Sequence, residues 1–257
     1  MLLSVLIPVY NERRTLATIL ATVSRALPDV DKELIVVDDC STDGTRDWLH
    51  GNFPEGARRG ARVEVAADGS LVFAEAQAGA SVTIRPLYHE RNKGKGGSLQ
   101  TALAAATGDV LVIQDADLEY DPQDWAQMYD LIVTRKIADV VYGSRFYGRP
   151  HRALQFHHYL ANRLISTMFS LFFNQTLTDV QVCYKMFTRD VKDSLRITVN
   201  DFGIELQIGA QIVLARCWRI YEVGIQYYGR THDEGKKIGW KDGVKALWYI
   251  VKFRFSG

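Results

Sequence analysis

Cysteine is scarce in this chain, and Cys40, Cys183 and Cys217 stand far apart without metal-ligand spacing. An odd, scattered set argues against a disulfide scaffold and predicts reduced thiols in a cytosolic protein. No charged segment precedes the first apolar run, so no secretory signal peptide is expected. The glycosylation sequon at 174–176 is therefore expected to stay unmodified.

Long apolar runs and a charge excess are missing too. No apolar stretch reaches the roughly 20 residues of a membrane span. The net charge is +1 over 257 residues, which argues against bulk binding of nucleic acid, because phosphate backbones attract a global excess of cations. A hydrophobic content of 47% is typical of a soluble globular protein, and the length suits one domain with or without an appendage.

What the chain does contain is an alternation of strands and helices. Apolar, β-favouring runs at 2–9, 34–37, 81–84, 110–113 and 139–142 predict buried strands, with helical periodicity between them. This alternation predicts an α/β fold with a Rossmann-like, mostly parallel sheet flanked by helices. Residues 54–80 break the rhythm, and Asp68-Gly69 between two β-rich runs predicts an inserted surface hairpin.

Carboxylates follow the run at 110–113 directly. Asp115 and Asp117 are spaced to converge on one oxygen-preferring cation, and Glu119 offers a third oxygen. A divalent ion held in this way commonly presents itself to a diphosphate. Aspartates at strand ends are also frequent helix caps, so the pattern alone leaves both interpretations open.

Similar polar clusters follow other predicted strands, at Pro8-Val9-Tyr10-Asn11-Glu12, Asp38-Asp39 and 92–95. Each has a plain structural explanation: Tyr10 as a core residue, the two aspartates as caps of the next helix, the glycines as a turn. Because parallel strands end at one edge of a sheet, we expect the clusters to line one crevice. The glycine segment fits no dinucleotide fingerprint and no Gly-Lys-Ser/Thr loop is present, which disfavours dehydrogenases and P-loop enzymes.

Taken in order, these motifs resemble glycosyltransferase family 2, and within it the dolichyl/polyprenyl-phosphate mannosyl- and glucosyltransferase branch. The motifs are Pro8-Val9-Tyr10-Asn11-Glu12, 37–45, 92–96, 115–119 and Gly143-Ser144-Arg145, followed by 179–185, 221–225, and 229–231 with 234–237. The resemblance covers nearly the whole chain except the hairpin. It implies a GT-A catalytic domain over 1–230, with the hairpin at about 54–80, and a basic amphipathic segment over 231–257.

The resemblance also implies an inverting, metal-dependent hexosyltransferase. Its donor would be a nucleotide sugar of the UDP-glucose or GDP-mannose type, its metal Mg²⁺ or Mn²⁺, and its acceptor polyprenyl or dolichyl phosphate. By position, Asp115, Asp117 and Glu119 would hold the metal, although the branch often has glutamine at 119. The expected nucleotide-sugar site is Pro8, Tyr10, Glu12, Asp39, Lys95, Asp115 and Ala116, where Lys95 is equally explained as a solvated lysine.

On the acceptor side, the resemblance points to cations. The expected acceptor-phosphate residues are Arg145, Arg163, Ser166 and Arg230, and the expected catalytic set is Asp117, Asp179, Arg145 and Arg230. A lipid phosphate is already an anion and needs positioning rather than a strong base. An alcohol would need a carboxylate base, either Asp179 or Glu205. Asp179 is equally explained as a sugar ligand or a strand cap, and Arg163 as a solvated residue.

Two apolar segments bear on membrane contact. The aromatic stretch 151–173 predicts a helix that either belongs to the core or rests on lipid. The stretch 240–255 interleaves Trp240, Leu247, Trp248, Ile250 and Val251 with basic residues. This pattern suits an anionic membrane surface, or lysines that snorkel beside a core-packed face. We expect a cytoplasmic protein in peripheral contact with the cytoplasmic face of a membrane.

Other functions compete with this one. A glycosyltransferase acting on a soluble hydroxyl of a metabolite, glycan or protein is the main alternative. A noncatalytic nucleotide-sugar-binding module and a nucleotidyltransferase of similar architecture are further ones. The sequence leaves open the base, the sugar, the purpose of the hairpin and the oligomeric state, a homo-oligomer included.

Overall fold

The computed structural model describes residues 1–74, 80–147, 156–230 and 240–255. Within it the chain forms two compact units, Met1–Leu118 and Glu119–Gly257, here called the N-terminal and C-terminal units. The end of the predicted hairpin insertion (75–79), the start of the predicted aromatic helix (151–155) and part of the predicted C-terminal segment (231–239) lie outside the described residues.

The N-terminal unit alternates strands and helices as predicted. In chain order its elements are β1 (Leu2–Val9), α1 (Leu16–Arg25), β2 (Asp31–Asp38), α2 (Thr45–Asn52), β3 (Arg58–Gly60), β4 (Arg62–Val65), β5 (Leu71–Ala74), β6 (Val82–Tyr88), α3 (Gly94–Ala105) and β7 (Val110–Ile113). The first helix buries one apolar face, because its leucine, isoleucine and valine residues recur at helical spacing.

Four strands of this unit run parallel, in the order β7-β1-β2-β6, with β3 antiparallel on the edge beside β6. Val5 of β1 pairs with Leu34 of β2 on one side and with Val112 of β7 on the other. All four residues of β7 are buried, which explains why its sequence is continuously apolar rather than alternating. The predicted parallel α/β architecture is confirmed, and it brings the carboxyl ends of β1, β2, β6 and β7 to one edge.

The inserted hairpin is also confirmed. β4 and β5 pair antiparallel around the turn that contains Gly69, whose φ is +79°. Val63 of β4 is fully buried, and its backbone N–H donates to Ser24 Oγ of α1 at 3.2 Å. Trp48 Nε1 donates to the Gly69 carbonyl at 2.9 Å. The hairpin is therefore fastened to α1 and α2 rather than projecting freely.

One buried lysine gives this unit a pH-dependent stability. Lys32 Nζ donates to the carbonyls of Leu27 and Val30, each at 2.9 Å, and burial lowers its pKa to about 8. An unfolded chain keeps lysine protonated up to a pKa of roughly 10.4, so the unfolded state binds more protons between these two values. We expect the free energy of unfolding of wild type, relative to Lys32→Met, to rise across pH 8–10 in urea titrations. A difference that falls over this window would contradict the assignment.

The C-terminal unit begins with a 3₁₀ turn (Pro122–Asp124) that leads into α4 (Trp125–Tyr129) and a π-helical turn (Asp130–Thr134). Then follow β8 (Val140–Ser144), α5 (Phe156–Phe173), β9 (Lys185–Thr188), α6 (Arg189–Ser194), α7 (Ile204–Ala215), β10 (Ile220–Gly224) and α8 (Trp240–Phe255). β8 lies between β10, to which it is parallel, and β9, to which it is antiparallel. The parallel pair again places polar residues at its carboxyl end.

Helices α5 and α8 pack against each other, and α8 also packs against α7. Ile165 and Phe169 of α5 and Ile250 of α8 are buried, as a core helix requires. Both helices also carry an exposed apolar stripe, formed by Phe156, Leu160, Leu164 and Leu171 on α5 and by Val244, Trp248, Val251 and Phe255 on α8. Packing in the core thus accounts for one face of each helix and leaves a second apolar face in contact with solvent.

Candidate active site

The loops after β1 and β2 are tied together at the carboxyl edge of the N-terminal unit. Asn11 has a φ of +56°, its N–H donates to Ser41 Oγ at 2.9 Å, and its Oδ1 accepts from Thr42 N at 2.7 Å. This brace carries Tyr10, which is 38% exposed and so available to a ligand rather than buried in the core. Beside it Glu12 accepts from Thr15 Oγ1 at 3.0 Å, and Pro8 is paired with Val37 of β2, one residue before that pairing ends at Val9.

Asp39 lies in the same edge but is almost fully buried. Its carboxylate accepts from the backbone N–H groups of Lys93 and Gly94 at 2.8 and 2.7 Å, where α3 begins. An acid at this position satisfies helix N–H groups that lack an intrahelical partner. Asp39 therefore fixes the glycine segment in place, and it caps α3 instead of the next helix along the chain. Asp38 pairs with Arg46 at 2.7 Å and is not a cap either.

Sequence reasoning missed His89, which follows β6. Its Nδ1 lies 2.7 Å from Asp39 Oδ1, and its Nε2 lies 2.9 Å from Thr101 Oγ1 of α3. The imidazole thus bridges the end of β2 to the helix that carries Lys95. Strand β6 extends to Tyr88, four residues beyond the predicted run at 81–84, so no strand-end signal marks His89 in the sequence.

Lys95 and Asp115 form the central ion pair of this edge. Lys95 Nζ lies 2.8 Å from Asp115 Oδ1 and 3.0 Å from Oδ2, and the two side chains are 14% and 20% exposed. Ala116 is buried and Asp117 is half-buried. The structure therefore places a cation suited to phosphate oxygens against a carboxylate suited to a divalent ion. Lys95 is not merely a solvated lysine.

The C-terminal unit holds the predicted arginines. Arg145 follows β8, and its Nε and Nη2 donate to the two oxygens of Asp179 at 2.6 and 2.7 Å, a bidentate pair. Burial works to lower the pKa of Arg145, but Asp179 outweighs it and holds that pKa well above its ordinary value. The guanidinium carbon also lies 5.2 Å from the ring centroid of Tyr227. Asp179 is fully buried in this pairing.

Glu119 belongs to the same unit and binds Tyr227 and Arg230. It accepts from Tyr227 Oη at 2.8 Å and from the backbone N–H of Arg230 at 2.8 Å, with Arg230 Nε at 3.4 Å. Burial raises the pKa of Tyr227 against the opposing charge of Arg145, so the phenol stays protonated and donates. Arg145 and Arg230 are thereby joined through Tyr227 and Glu119 into one cluster.

The three-carboxylate metal site of Asp115, Asp117 and Glu119 stays a prediction, because Asp115 and Asp117 belong to the N-terminal unit and Glu119 belongs to the C-terminal unit. In residues 1–74, 80–147, 156–230 and 240–255, no group of three His, Cys, Asp or Glu side chains is placed to hold a metal ion. Within the C-terminal unit, both oxygens of Glu119 accept hydrogen bonds, one from the Tyr227 hydroxyl and one from the Arg230 backbone N–H. Asp115 and Asp117 offer carboxylate oxygens, the ligand type that Mg²⁺ and Mn²⁺ prefer.

The other candidates of this unit have structural partners. Ser166 is buried in α5, and its Oγ accepts from the Val180 N–H at 3.2 Å, while Arg163, one helical turn earlier, is half-buried. Glu205 is buried against Lys185 in an ion pair inside the unit. Neither Ser166 nor Glu205 presents its side chain to solvent.

The N-terminal unit thus pairs a lysine with an acid at the carboxyl edge of a parallel sheet, and the C-terminal unit holds two arginines oriented by acids. The chain belongs to glycosyl transferase family 2, whose sequence model matches residues 4–66 and 63–195. It is a glycosyltransferase, as the resemblance predicted.

Characterised proteins with similar sequences are glycosyltransferases as well. An undecaprenyl-phosphate mannosyltransferase of Micrococcus luteus is 26% identical over 243 residues, covering 91% of this chain and 86% of the relative. A dolichol-phosphate mannosyltransferase of Pyrococcus furiosus is 28% identical over 146 residues, covering 57% of this chain. This chain spans only 34% of that second relative.

The fold itself matches solved structures. Glucosyl-3-phosphoglycerate synthase of Mycobacterium tuberculosis, crystallised with Mn²⁺, UDP and phosphoglyceric acid, superposes with a TM-score of 0.68 over 98% of this chain and 78% of its own. The sequence identity is 18%. The GT-A fold predicted from the motifs is confirmed.

Proposed function

We propose that this glycosyltransferase moves a hexose, with inversion, from a nucleotide sugar of the UDP-glucose or GDP-mannose type to polyprenyl or dolichyl phosphate. The observation that carries the choice of acceptor is the pairing of the buried acids. Asp179 is bound to Arg145 and Glu205 to Lys185, so both carboxylates that might activate an alcohol are engaged by cations. A phosphate acceptor needs neither, because it is already an anion.

On the donor side, the edge of the N-terminal unit supports a nucleotide diphosphate. Tyr10, Glu12 and the braced loops around Asp39 would bind the nucleoside, and Lys95 would bind phosphate oxygens in place of part of its contact with Asp115. Asp115 and Asp117 would hold Mg²⁺ or Mn²⁺ together with those oxygens. A metal bound there neutralises charge on the departing nucleoside diphosphate. The structural relative that binds Mn²⁺ and UDP supports this assignment.

On the acceptor side, the C-terminal unit supplies fixed positive charge. Arg145 is 10% exposed and oriented on two sides, by Asp179 and by the ring of Tyr227. Arg230 is oriented by Glu119. We propose that these two guanidinium groups hold the lipid phosphate and that Arg163 assists from α5. The names of the Micrococcus and Pyrococcus relatives, which specify polyprenyl-type phosphates, support this acceptor class.

A donor screen tests the function. Purified protein with Mn²⁺ is mixed with UDP- or GDP-hexoses, with and without a short polyprenyl phosphate, and nucleoside diphosphate release is measured. We expect release that depends on one donor, on the lipid phosphate and on the metal, lost with EDTA and restored by Mn²⁺. Release that requires a soluble acceptor instead, such as 3-phosphoglycerate, would establish the soluble-acceptor alternative, which the Mycobacterium relative bound to phosphoglyceric acid favours.

We further propose that the exposed stripes of α5 and α8 rest on the cytoplasmic face of a membrane. No helix within the described residues combines the length and hydropathy that crossing a bilayer requires. Trp248 is 55% exposed and Lys252 Nζ lies 4.9 Å from its ring centroid, so an apolar anchor and a cation are presented together. Aromatic and aliphatic side chains beside lysine and arginine suit anionic lipid surfaces.

A vesicle assay checks this contact. We expect flotation with vesicles that contain anionic lipid, and roughly hundredfold weaker binding for Leu164→Ser/Trp248→Ser, since each exposed side chain contributes about 1.5–3 kcal/mol when buried in lipid. Val72→Ser is the matched control, because Val72 is 51% exposed on the hairpin. Equal binding of all three proteins would contradict the proposal, as would light scattering showing that the stripes join two copies of the chain.

A further inference from the structure

The carboxylate of Glu222, on β10, accepts several hydrogen bonds from residues that lie next to the acceptor site proposed above. Its Oε1 accepts from the N–H groups of Thr178 and Asp179 at 2.9 and 3.2 Å, and its Oε2 accepts from Thr178 Oγ1 at 2.9 Å. Three donors from two consecutive residues therefore converge on one carboxylate. The second of those residues is the one that clamps Arg145.

A second link runs from the same carboxylate to the backbone around Arg145. Thr178 Oγ1 lies 2.7 Å from Ser144 Oγ, and Ser144 Oγ accepts from the Phe146 N–H at 3.2 Å. An ionised Glu222 only accepts, so the Thr178 hydroxyl donates to it and the Ser144 hydroxyl donates to Thr178. Glu222 thus sets the direction of the whole chain of bonds. The residues on both sides of Arg145 depend on it.

We propose that Glu222 is a positioning residue for the acceptor: through Thr178, Asp179 and Ser144 it fixes the orientation in which Arg145 meets an anionic acceptor. Glu222 itself touches no substrate in this proposal. The inference rests on the proposed function, because Arg145 is assigned to the acceptor there. It adds a residue 77 positions further along the chain, on a different strand.

The environment of Glu222 supports this role. Glu222 and Tyr221 line an open cleft of about 370 Å³ together with Tyr147, Gln175, Thr176 and Thr178, so protons reach the carboxylate. Burial raises the pKa of Glu222 and the charge of Asp179 adds to the increase, against the opposing hydrogen bonds from Thr178 and Asp179. Burial and the neighbouring Asp179 both disfavour a charged Glu222. The hydrogen bonds from Thr178 and Asp179 are what stabilise its carboxylate.

Kinetics with Glu222→Ala and Glu222→Gln test the proposal. For Glu222→Ala we expect the KM for the lipid phosphate to rise roughly tenfold, because a displaced guanidinium binds the acceptor less well. The KM for the donor and kcat should stay within about twofold, which is the signature of lost acceptor binding. For Glu222→Gln, whose side-chain oxygen can still accept the same hydrogen bonds, we expect a smaller rise in the acceptor KM.

The matched control is Asp139→Asn. Asp139 precedes β8 and pairs with Arg219, which precedes β10, so it joins the same two strands at their opposite ends. If Glu222 only held β8 and β10 together, Asp139→Asn would raise the acceptor KM as well. Equal effects of Asp139→Asn and Glu222→Ala on the acceptor KM would overturn the proposal, and so would a Glu222→Ala enzyme whose acceptor KM is unchanged.

Hydrogen exchange of the Arg145 side chain, which needs no catalytic turnover, tests this proposal separately from the proposed function. The Arg145 Nε–H, identified by its loss in Arg145→Lys, is expected to exchange slowly with water because it donates to buried Asp179. We expect at least tenfold faster exchange in Glu222→Ala and little change in Asp139→Asn. If wild type fails to use lipid phosphate, the proposed function falls while this exchange still decides the role of Glu222. Unchanged exchange in Glu222→Ala overturns that role.

Discussion

Asp115→Asn is expected to lower kcat/KM for the nucleotide sugar by about 10²- to 10³-fold, the usual loss when one electrostatic contact to developing charge is removed. The neutral amide is a poor ligand for a divalent ion and no longer balances Lys95, which lies 2.8 Å away. Nucleoside diphosphate release measures the loss of turnover. Calorimetry with UDP or GDP and Mn²⁺ should show that metal-dependent nucleotide binding is lost as well.

Asp109→Asn is the control for this change. Asp109 stands before β7 as Asp115 stands after it, and its Oδ2 accepts from the Leu2 N–H at 3.0 Å. Asp109→Asn weakens this hydrogen bond at the end of β7 opposite to Asp115, and it should leave turnover nearly unchanged. If Asp115→Asn retained full metal-dependent activity, the assignment of this edge to the donor phosphates would be wrong.

Arg145→Ala should destabilise the protein by about 3–5 kcal/mol, because it leaves the carboxylate of Asp179 buried without its cation. The double variant Arg145→Ala/Asp179→Asn also removes the unpaired charge of Asp179. It is expected to recover part of the lost free energy of unfolding. Adding the single variant Asp179→Asn completes a double-mutant cycle, which measures the coupling of the pair. Urea unfolding of wild type, the two single variants and the double variant gives the free energies.

Arg145→Lys separates folding from binding. A lysine keeps the charge near Asp179 but lacks the planar fork that makes two parallel hydrogen bonds. We therefore expect a protein that stays folded, with a KM for the lipid phosphate raised at least tenfold and an unchanged KM for the donor. An acceptor KM equal to that of wild type would exclude Arg145 from the acceptor site.

Acids and cations that lie close in sequence turned out to have different partners. Asp115 and Glu119 belong to one motif, and a shared metal site was the natural expectation. In the structure Asp115 pairs with Lys95, while Glu119 binds Tyr227 and Arg230. Residue spacing cannot separate these outcomes, because a loop after a strand directs successive side chains in ways that the backbone path decides.

Some residues that lie far apart in sequence form ion pairs in the structure. The sequence offers Asp179 and Glu205 as candidate bases, and no local pattern connects Asp179 to Arg145 or Glu205 to Lys185. The structure pairs each with a cation and removes both from solvent. His89 and Glu222 escaped notice as site residues for the same reason, since their partners come from other elements.

Strands β1, β2, β6, β7 and β8, the hairpin, the position of the acids after β7 and the family were predictable from the sequence alone. Those features depend on local signals, such as apolar runs, turn residues and the order of motifs. Which cation each acid binds depends on long-range contacts, because Arg145 meets Asp179 across 34 residues and the Arg230 backbone meets Glu119 across 111. Contacts at such separations arise from packing of whole elements, and the free energy that selects them is not encoded in any single segment.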